Sequence, residues 1–272
     1  MKILHDNMSS GGPTQLANAI VIRDLVVEFE RDNPVIDGVS LAVLEGQFVC
    51  IVGASGCGKT TVLNVLAGLV QAKHEASACI LGEAPRLGKD SVAYMLARDS
   101  LLPWRTALAN ASYGLEIRGV ERATREARAR ELLERVGLKG YENSLPKELS
   151  HGMRQRCALA RTFAMPSPIL LMDEPFGALD AQTKLMLQDL VVDLWQMERR
   201  TVIFITHDLA EAVAIGDRIV VMGGKPGRIA ADVMNPLPRP RQVRHLQKDP
   251  MFHEVYASVW KELERGWIGE EH

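Results

Sequence analysis

The sequence predicts a layered α/β fold, and two observations support this prediction. Continuous apolar runs of strand length alternate with segments whose apolar residues recur at helical spacing, which is the pattern of a sheet covered by helices. The chain has 272 residues, of which 47% are hydrophobic and 24% are charged. This composition excludes a disordered or fibrous protein, and the length suits one large domain or two small ones.

Charge and cysteine content narrow the class of protein further. The formal net charge of −2 gives no overall basic field, so we expect no nucleic-acid partner. The apolar runs are shorter than the roughly 18 residues of a membrane-spanning helix, and the first residues do not resemble a signal peptide. The cysteines stand at wide, irregular spacings, at Cys50, Cys57, Cys79 and Cys157. Such spacing favours reduced thiols in a cytoplasm over a disulfide framework or a zinc site.

The first part of the chain predicts a tail, two strands, a buried strand and a helix. Residues 1–19 contain a Ser-Ser-Gly-Gly-Pro stretch that cannot supply a packed face, so we expect a flexible tail. Residues 20–29 and 35–43 are rich in valine, isoleucine and leucine and predict strands. Phe48–Val52 is apolar throughout, which is typical of a strand buried on both faces, and Thr60–Leu69 has helical spacing.

The middle of the chain predicts an α-helical insertion at about residues 98–165. The stretch 106–137 is rich in Ala, Arg, Glu and Leu, and Leu132, Leu133 and Val136 are spaced for one helix face. Charges of both signs alternate at i, i+4 spacing in this stretch, which indicates a solvated surface.

Strands and helices alternate again after the insertion. Continuous apolar runs predict buried strands, and the segments between them predict helices; the strands are at 169–172, 202–205 and 219–222, and the helices at 181–199 and 209–215. Three closely spaced prolines indicate a linker, so we expect a C-terminal linker and helix over residues 236–272. The last helix, at 249–267, has one apolar side. This predicts docking on its own domain, and a partner-facing role is the alternative.

A phosphate-binding motif lies between the buried strand and the helix that follows it. The motif G-x-x-x-x-G-K-[ST] is filled by Gly53, Ala54, Ser55, Gly56, Cys57, Gly58, Lys59 and Thr60. Glycines let successive backbone N–H groups point at phosphate oxygens, and the helix adds its positive N-terminal end. Lys59 supplies a cation for the β- and γ-phosphates, the Thr60 hydroxyl can ligate Mg²⁺, and Thr61 completes the predicted binding segment. A coincidental glycine turn is the alternative, but the strand and helix on either side favour the phosphate loop.

Two acids follow a second buried strand, and a histidine follows a third. Asp173 and Glu174 end the apolar run 169–172, which puts carboxylates at the edge of the sheet where α/β ligand sites lie. We expect Asp173 to hold Mg²⁺ through water and Glu174 to orient or deprotonate the attacking water. His207 follows the strand 202–205 and can donate a hydrogen bond to a γ-phosphate. By itself such a histidine would more often only start a helix.

Taken together, these residues resemble the ATP-binding subunits of ABC transporters over residues 20–235. Leu149–Gln155 is similar to the family's signature, which implies that Ser150 and Gly152 contact the γ-phosphate of ATP held by the opposite subunit. Without the resemblance, Ser150 would be only a helix N-cap. The resemblance also implies that Ala178–Asp180 is the loop at the dimer interface and that His207 is the switch histidine. Phe29 stands where relatives stack an aromatic ring on adenine, although a core phenylalanine is the alternative.

This resemblance implies a fold, cofactors and partners. The fold is that of a P-loop NTPase of the ABC ATPase type, with an N-terminal antiparallel β subdomain and an inserted α-helical subdomain, and the ligands are ATP and Mg²⁺. Two copies form a dimer on the cytoplasmic face of the inner membrane. The dimer is peripheral: it docks on transmembrane permease subunits near residues 97–118 and works indirectly with a substrate-binding protein. Segments such as Leu101–Arg105, Lys225–Ile229 and Leu237–Arg241 are similar to the nitrate, sulfonate and taurine import group.

The sequence departs from the family at two sites. Ala97 occupies the position of the Q-loop glutamine, which in relatives touches Mg²⁺ and the attacking water. His151 and Met153 replace a glycine and a glutamine of the signature. The other predicted site residues are present, so we expect ATP hydrolysis to be retained. A slower rate is one expected consequence of the three substitutions. Two alternatives remain at this point: a regulatory subunit that binds ATP with weak or no hydrolysis, and a soluble ABC-type ATPase that acts on DNA or the ribosome.

Overall fold

The structure is a computed structural model that describes residues 17–74, 77–96, 100–177 and 179–268, with side chains given up to Arg265. Nine strands and nine α-helices are described in these ranges. The strands are β1 Asn18–Glu30, β2 Asn33–Leu44, β3 Phe48–Gly53, β4 Ala78–Ile80, β5 Val92–Met95, β6 Ile169–Asp173, β7 Thr201–Ile205, β8 Arg218–Gly223 and β9 Arg228–Met234. The helices are α1 Lys59–Leu66, α2 Ala107–Ala111, α3 Tyr113–Ile117, α4 Arg122–Arg135, α5 His151–Ala164, α6 Ala181–Glu198, α7 Leu209–Ile215, α8 Val243–Leu246 and α9 Pro250–Ile268.

The larger sheet has six strands in the order β5-β6-β7-β3-β8-β9. The first five are parallel, and β9 pairs antiparallel with β8 at the edge. The predicted runs at 48–52, 169–172, 202–205 and 219–222 are therefore the central strands. Their side chains are buried on both faces, as expected for a parallel sheet covered on both sides.

Alternate residues of the central strands enter two separate hydrophobic cores. In β3, Phe48, Cys50 and Val52 pack with the helical insertion and with α6, α7 and α9. Val49 and Ile51 point the other way and pack with α1 and the smaller sheet. The period of two along a strand thus makes the parallel sheet the shared wall between the two cores.

The smaller sheet is the predicted N-terminal antiparallel β subdomain. It has three strands in the order β2-β1-β4, and β1 pairs antiparallel with both neighbours. Strand β1 begins at Asn18, so the predicted tail of residues 1–19 overlaps it by two residues, and Ala19 is already buried. Residues 1–16 of that predicted tail lie outside the described residues.

The inserted helices α2 to α5 occupy the region predicted to be helical. Leu132 and Leu133 of α4 are buried, and so is Val136, which caps it. The charged residues of α4 form ion pairs on the exposed side, such as Arg122 with Glu126 at 2.7 Å. The spacing of apolar and charged residues therefore identified the buried face of α4 correctly.

The C-terminal segment packs on the same domain as the sheets. Helix α9 lies against β8, β9 and α7, and its apolar side is buried at Phe252, Val255, Val259 and Leu263. The residues between β9 and α8 run across the ends of α7 and β8 as an extended segment. Within the described residues, no helix has both the length and the apolar character to cross a membrane.

Candidate nucleotide-binding site

The strand order brings three distant parts of the sequence to one edge of the large sheet. The phosphate-binding motif follows β3, Asp173 ends β6, and His207 comes two residues after β7. Strands β6, β7 and β3 are consecutive in the sheet and parallel, so their carboxyl ends lie side by side. This is the edge at which ligands bind in open α/β sheets.

The predicted phosphate loop has a backbone path that only glycine accommodates at two positions. At Gly53, a Cβ would lie 2.1 Å from the carbonyl oxygen of Met222 on β8. At Gly58, φ is +89° and a Cβ would lie 2.3 Å from the Cδ1 atom of Ile36. Glycine is needed where φ is positive and where backbones approach this closely. Gly58 then caps α1, whose first residue is Lys59.

The Lys59 side chain is buried and folds back over the loop. Its ammonium donates hydrogen bonds to the carbonyl oxygens of Gly53 at 2.9 Å and Ala54 at 2.8 Å. These bonds hold the cation inside the curve of the loop, beside the N-terminal end of α1. An ammonium and a helix N-terminus together make an anion-binding position.

Thr60 and Asp173 form a pair of oxygen groups beside this cation. The Thr60 hydroxyl donates to the Asp173 carboxylate, with oxygen–oxygen distances of 3.0 and 3.2 Å. Burial raises the pKa of Asp173 above its ordinary value, and the hydrogen bond from Thr60 opposes that rise. A bound cation would favour the ionised carboxylate at this position.

Glu174 and His207 meet at the same edge. Nδ1 of His207 lies 3.2 Å from Oε2 of Glu174, and both side chains are partly exposed. The backbone of Glu174 has a φ of +43°, which is uncommon for a residue with a side chain. Its N–H donates to the carbonyl oxygen of Ile205 at 3.0 Å, so the turn after β6 is fastened to the end of β7. Strained backbone of this kind is concentrated at functional sites.

A second group of predicted residues lies together on other elements. The Ser150 hydroxyl accepts a hydrogen bond from the backbone N–H of Met153 and caps α5. Asp180 caps α6 by accepting from the backbone N–H of Thr183. Hydrogen bonds from the side chain and the backbone of Thr183 lower the pKa of Asp180. A Cβ on Gly152 would lie 3.2 Å from the Thr183 methyl group. The first turns of α5 and α6 are therefore neighbours, and these two N-termini carry all three predicted residues.

The structure describes only one of three further positions singled out in the sequence, Phe29, Ala97 and Ala178. Phe29 is 64% exposed near the end of β1, so the alternative of a core phenylalanine is wrong. Its ring is free of the core, as a stacking residue requires. Ala97 and Ala178 lie outside the described residues.

Two contacts that support the site were not predicted from the sequence. Gln155 is buried in α5, and its Nε2 donates to the carbonyl oxygen of Pro175, the residue after Glu174. Lys184 of α6 forms an ion pair of 2.7 Å with Asp208, the residue after His207. The sequence does carry a signal for Gln155, which shares a helix face with the apolar residues Ala158 and Leu159. A polar side chain on such a face needs a hydrogen-bond partner when it is buried.

The donor set fits a nucleotide with Mg²⁺. Among the described residues, no group of three or more His, Cys, Asp or Glu side chains could form a metal cage. Mg²⁺ is usually held by one or two protein oxygens together with phosphates and water, and the adjacent oxygens of Thr60 and Asp173 suit that arrangement. The loop, Lys59 and the start of α1 supply N–H groups and positive charge for phosphates.

Comparison with known proteins identifies the family. A family model described as "ABC transporter" matches residues 36–177, just over half of the chain. The taurine import ATP-binding protein TauB of Rhizobium johnstonii is 40% identical over 235 residues, which are 85% of this chain and 89% of that protein. The aliphatic sulfonates import ATP-binding protein SsuB of Bacillus cereus is 37% identical over 238 residues, which are 88% of this chain and 92% of that protein.

A solved structure agrees with the sequence comparisons. The ATP-binding cassette MJ0796, in a dimeric post-hydrolysis state bound to ADP and Pi, superposes with a TM-score of 0.70 at 28% identity. The match covers 80% of this chain and all of that one. The strand order, the phosphate loop and these relatives lead to one conclusion. The chain belongs to the ABC transporter family, as one of its ATPase subunits.

Proposed function

We propose that this chain binds and hydrolyses MgATP in order to energise an importer for a small solute. One observation carries the proposal: the phosphate loop, the Thr60–Asp173 pair and the Glu174–His207 pair meet at one edge of the sheet. A phosphate grip, a cation-binding pair and a base are the parts that phosphoryl transfer to water requires. The phosphate loop lies more than 110 positions before Asp173 in the sequence, so a chance arrangement is a poor explanation.

Each group has a distinct role in the proposed reaction. The loop N–H groups and Lys59 would hold the β- and γ-phosphates. Thr60 would hold Mg²⁺ directly, and Asp173 would hold it through water. When bound, Mg²⁺ neutralises charge that develops on the phosphate oxygens. Glu174 takes a proton from the attacking water. His207 lies 3.2 Å from Glu174, so it orients this carboxylate and donates to the γ-phosphate.

The proposed active form is a dimer with two ATP molecules at the interface. Ser150 and Gly152 lie at the start of α5 and not on the edge that carries Lys59. A second copy facing the first would bring this helix N-terminus, with its positive end, to the partner's nucleotide. The dimeric state of the structural relative supports this arrangement, and the loop that ends at Asp180 would cross the interface.

The proposed transport system has three kinds of partner. Transmembrane permease subunits dock near residues 97–118, where Trp104 and Ile117 are 73% and 68% exposed, so that the chain is peripheral on the cytoplasmic face of the inner membrane. A substrate-binding protein acts indirectly, by delivering the solute to the permease. The names of two relatives support taurine or an aliphatic sulfonate as the solute, and nitrate is a further candidate from the sequence resemblance alone.

Phosphate release by the purified chain tests the enzymatic part of the proposal. We expect MgATP-dependent release in the wild type and none in Lys59→Ala, which loses the cation at the phosphates. Glu174→Gln keeps the size of the side chain but cannot accept the proton, so release should fall about 10²- to 10⁴-fold. ATP should then hold the Glu174→Gln chain as a dimer in size-exclusion chromatography, and Lys59→Ala should stay monomeric.

The same phosphate-release experiment distinguishes the proposed ATPase from a second candidate function, a regulatory subunit. A regulatory subunit with weak or no hydrolysis is favoured by Ala97 at the Q-loop position and by His151 and Met153 in the signature. It would bind MgATP with phosphate release no faster than that of Lys59→Ala. The role of Glu174 would be contradicted if the ATP-dependent dimer of Glu174→Gln had the same lifetime as the wild-type dimer, or a shorter one.

A further inference from the structure

The segment between β9 and α8 has no role in the proposed reaction. It contains the Leu-Pro-Arg-Pro-Arg sequence of residues 237–241, and we call residues 235–241 the C-terminal strap. The strap crosses the end of α7, the helix that begins one residue after Asp208 and two residues after His207. Three of its side chains donate hydrogen bonds to backbone carbonyls at the C-terminal end of α7.

Asn235 binds two of these carbonyls. Its Nδ2 donates to the oxygens of Val213 at 2.7 Å and Gly216 at 2.8 Å, and its own Oδ1 accepts from the N–H of Leu237. The last carbonyls of a helix have no partner within the helix. Asn235 therefore caps α7 while it also fixes the turn of the strap.

Arg241 binds the same helix end from the other part of the strap. Its side chain is buried, with 4% exposure, and its guanidinium donates to Gly216 O at 2.7 Å and to Leu237 O at 2.6 Å. Burial lowers the pKa of Arg241 to about 10, which leaves it charged at neutral pH. A buried cation at the C-terminal end of a helix also complements the helix dipole.

Arg239 joins α7 to α6. It donates to the carbonyl oxygen of Ile215, the last residue of α7, and to Oδ1 of Asp217 at 2.9 Å. Its guanidinium also lies 4.5 Å from the centre of the Trp195 ring on α6, a cation–π distance. Asn235, Arg239 and Arg241 together fasten the C-terminal end of α7 to the body of the protein.

The opposite end of α7 is held by charged groups. Asp208 caps it by accepting from the N–H of Glu211, and Asp208 also pairs with Lys184 at 2.7 Å. Gln188 donates to the Glu211 carboxylate at 2.9 Å. With seven residues, α7 is about 10 Å long, so a displacement of one end is carried to the other. His207 adjoins the N-terminal end.

We propose that Arg241, Arg239 and Asn235 are positioning residues that set the location of His207 through α7. The inference rests on the proposed role of His207 in hydrolysis. The strap touches neither nucleotide nor reacting atoms and acts by fixing the helix to which the histidine is attached. Without it, α7 keeps its N-terminal contacts with α6 but gains freedom to slide and tilt, and the imidazole moves away from Glu174.

The first test observes His207 directly by NMR. In protein labelled at histidine, the imidazole carbon–proton signal of His207 is assigned by its loss in His207→Ala. Arg241→Lys keeps the charge but replaces the two guanidinium nitrogens that bind Gly216 and Leu237 separately with a single ammonium on a shorter side chain, and we expect the His207 signal to shift or broaden. Asn235→Ala removes two donors and should act in the same direction. A His207 signal unchanged in both folded variants overturns the proposal.

A matched control uses another arginine of the same segment. Arg244 on α8 pairs with Asp189 of α6 at 2.9 Å and makes no contact with α7 among the contacts described. Arg244→Gln removes a guanidinium without touching the end of α7, so we expect an unchanged His207 signal. An equal shift in this control would indicate a general loosening of the C-terminal segment and would also overturn the proposal.

The second test measures ATP hydrolysis by the full chain. We expect Arg241→Lys to lower kcat about tenfold, because small misplacements of reacting groups cost rate, with KM for ATP within twofold of the wild type. If the strap residues only stabilise the fold, their substitution lowers the amount of folded protein and leaves kcat per nucleotide-binding site unchanged. That result would contradict a positioning role. His207→Ala separates the two proposals. If this variant hydrolyses ATP at the wild-type rate, the proposed role of His207 in hydrolysis is wrong. If the strap variants nevertheless shift the NMR signal of His207, the coupling through α7 stands.

Discussion

Glu174 is placed by its backbone as well as by its side chain. A φ of +43° turns the chain sharply after β6, and the hydrogen bond from Glu174 N–H to Ile205 O keeps that turn against β7. The carboxylate therefore reaches Nδ1 of His207, and it stays partly exposed to solvent. A left-handed conformation is costly for a side-chain-bearing residue, so the surrounding hydrogen bonds must stabilise it.

Position 97 is the residue at which a substitution should raise activity. It follows β5 by two residues, and β5 pairs with β6 up to Met95 and Met172, next to Asp173. An alanine methyl group cannot coordinate Mg²⁺ or orient water. We expect Ala97→Gln to raise kcat for ATP, by about tenfold or less, in a steady-state phosphate-release assay. A fall or an unchanged rate would mean that another group already fills this position, and Ala97→Leu controls for size.

The sequence predicts which residues form the candidate site, but it does not predict their contacts. Short motifs point to Lys59, Thr60, Asp173, Glu174 and His207, because phosphate and metal chemistry restricts both residue type and spacing. The 3.2 Å contact of Glu174 with His207 depends on the strand order, which brings β6 beside β7. That order is a property of tertiary packing and is not encoded locally.

At the scale of elements, long periodic segments were predicted well and short edge strands were not. The runs of β3, β6, β7 and β8 are apolar throughout, and the first turn of α7 coincides with the predicted helix. Strand β4 has three residues and β5 has four, too few to show a period. Strand β9 alternates between exposed and half-buried residues and has no buried apolar run. Its pairing with β8 stabilises it as a strand, and the sequence does not show that pairing.

Arg239 and Arg241 show why the C-terminal strap escaped the sequence analysis. Prolines and arginines indicate an exposed linker, because arginine is seldom buried unless its donors have partners. Here the partners are the carbonyls at the end of α7, which become available only when the helix stops at Gly216. The segment that the sequence predicts to be a linker therefore packs against the C-terminal end of α7 in the fold.

Helix α7 also carries a buried carboxyl whose ionisation should alter stability with pH. Glu211 is 3% exposed; burial raises its pKa above the ordinary 4.5, and Lys184, Thr206 and Gln188 oppose the rise while Asp208 adds to it. Above pH 4.5 the unfolded chain releases this proton while the folded chain retains it. The free energy of unfolding therefore falls as pH rises toward the raised pKa.

Glu211→Gln should remove this pH dependence. The amide oxygen can still accept from Gln188, but no proton is released. We expect the urea midpoint of the variant to exceed that of the wild type at pH 7.5, and the difference to shrink as pH falls to 4.5. A difference that stays constant across this range would contradict the assignment. Glu254→Gln, an exposed change on α9, is the control for an ordinary surface carboxyl.

At the scale of the whole molecule, the helical insertion and the sheet have separate tasks in the proposed function. Nucleotide chemistry lies at the edge formed by β6, β7 and β3, whereas the exposed apolar residues around Trp104 lie on the insertion. The two regions share the core that contains α5 and α6. Gln155 of α5 donates to the Pro175 carbonyl beside Glu174, so in the proposed function a movement of the insertion would reach the site through this contact.

Trp104→Ala tests whether the insertion is the surface that transmits this movement. Because Trp104 is 73% exposed, its removal should leave folding unchanged and ATP hydrolysis by the isolated chain within about twofold of the wild type. In membranes containing the complete importer, we expect solute uptake to fall at least about fivefold, as for an interface anchor. Leu87→Ala, a change at a residue 71% exposed outside this stretch, is the matched control. Equal losses in both variants would exclude a specific contact at Trp104.

The position of β3 in the sheet has a consequence for how the protein is made. Its neighbours are β7 and β8, which leave the ribosome about 150 residues later. At typical rates of translation this interval is roughly 7–30 s. During that time one of the most apolar segments of the nascent chain has no strand to pair with. An unpaired apolar strand of this kind is prone to aggregation during synthesis, and the sheet edge formed by β6, β7 and β3 is complete only after β7 has been made.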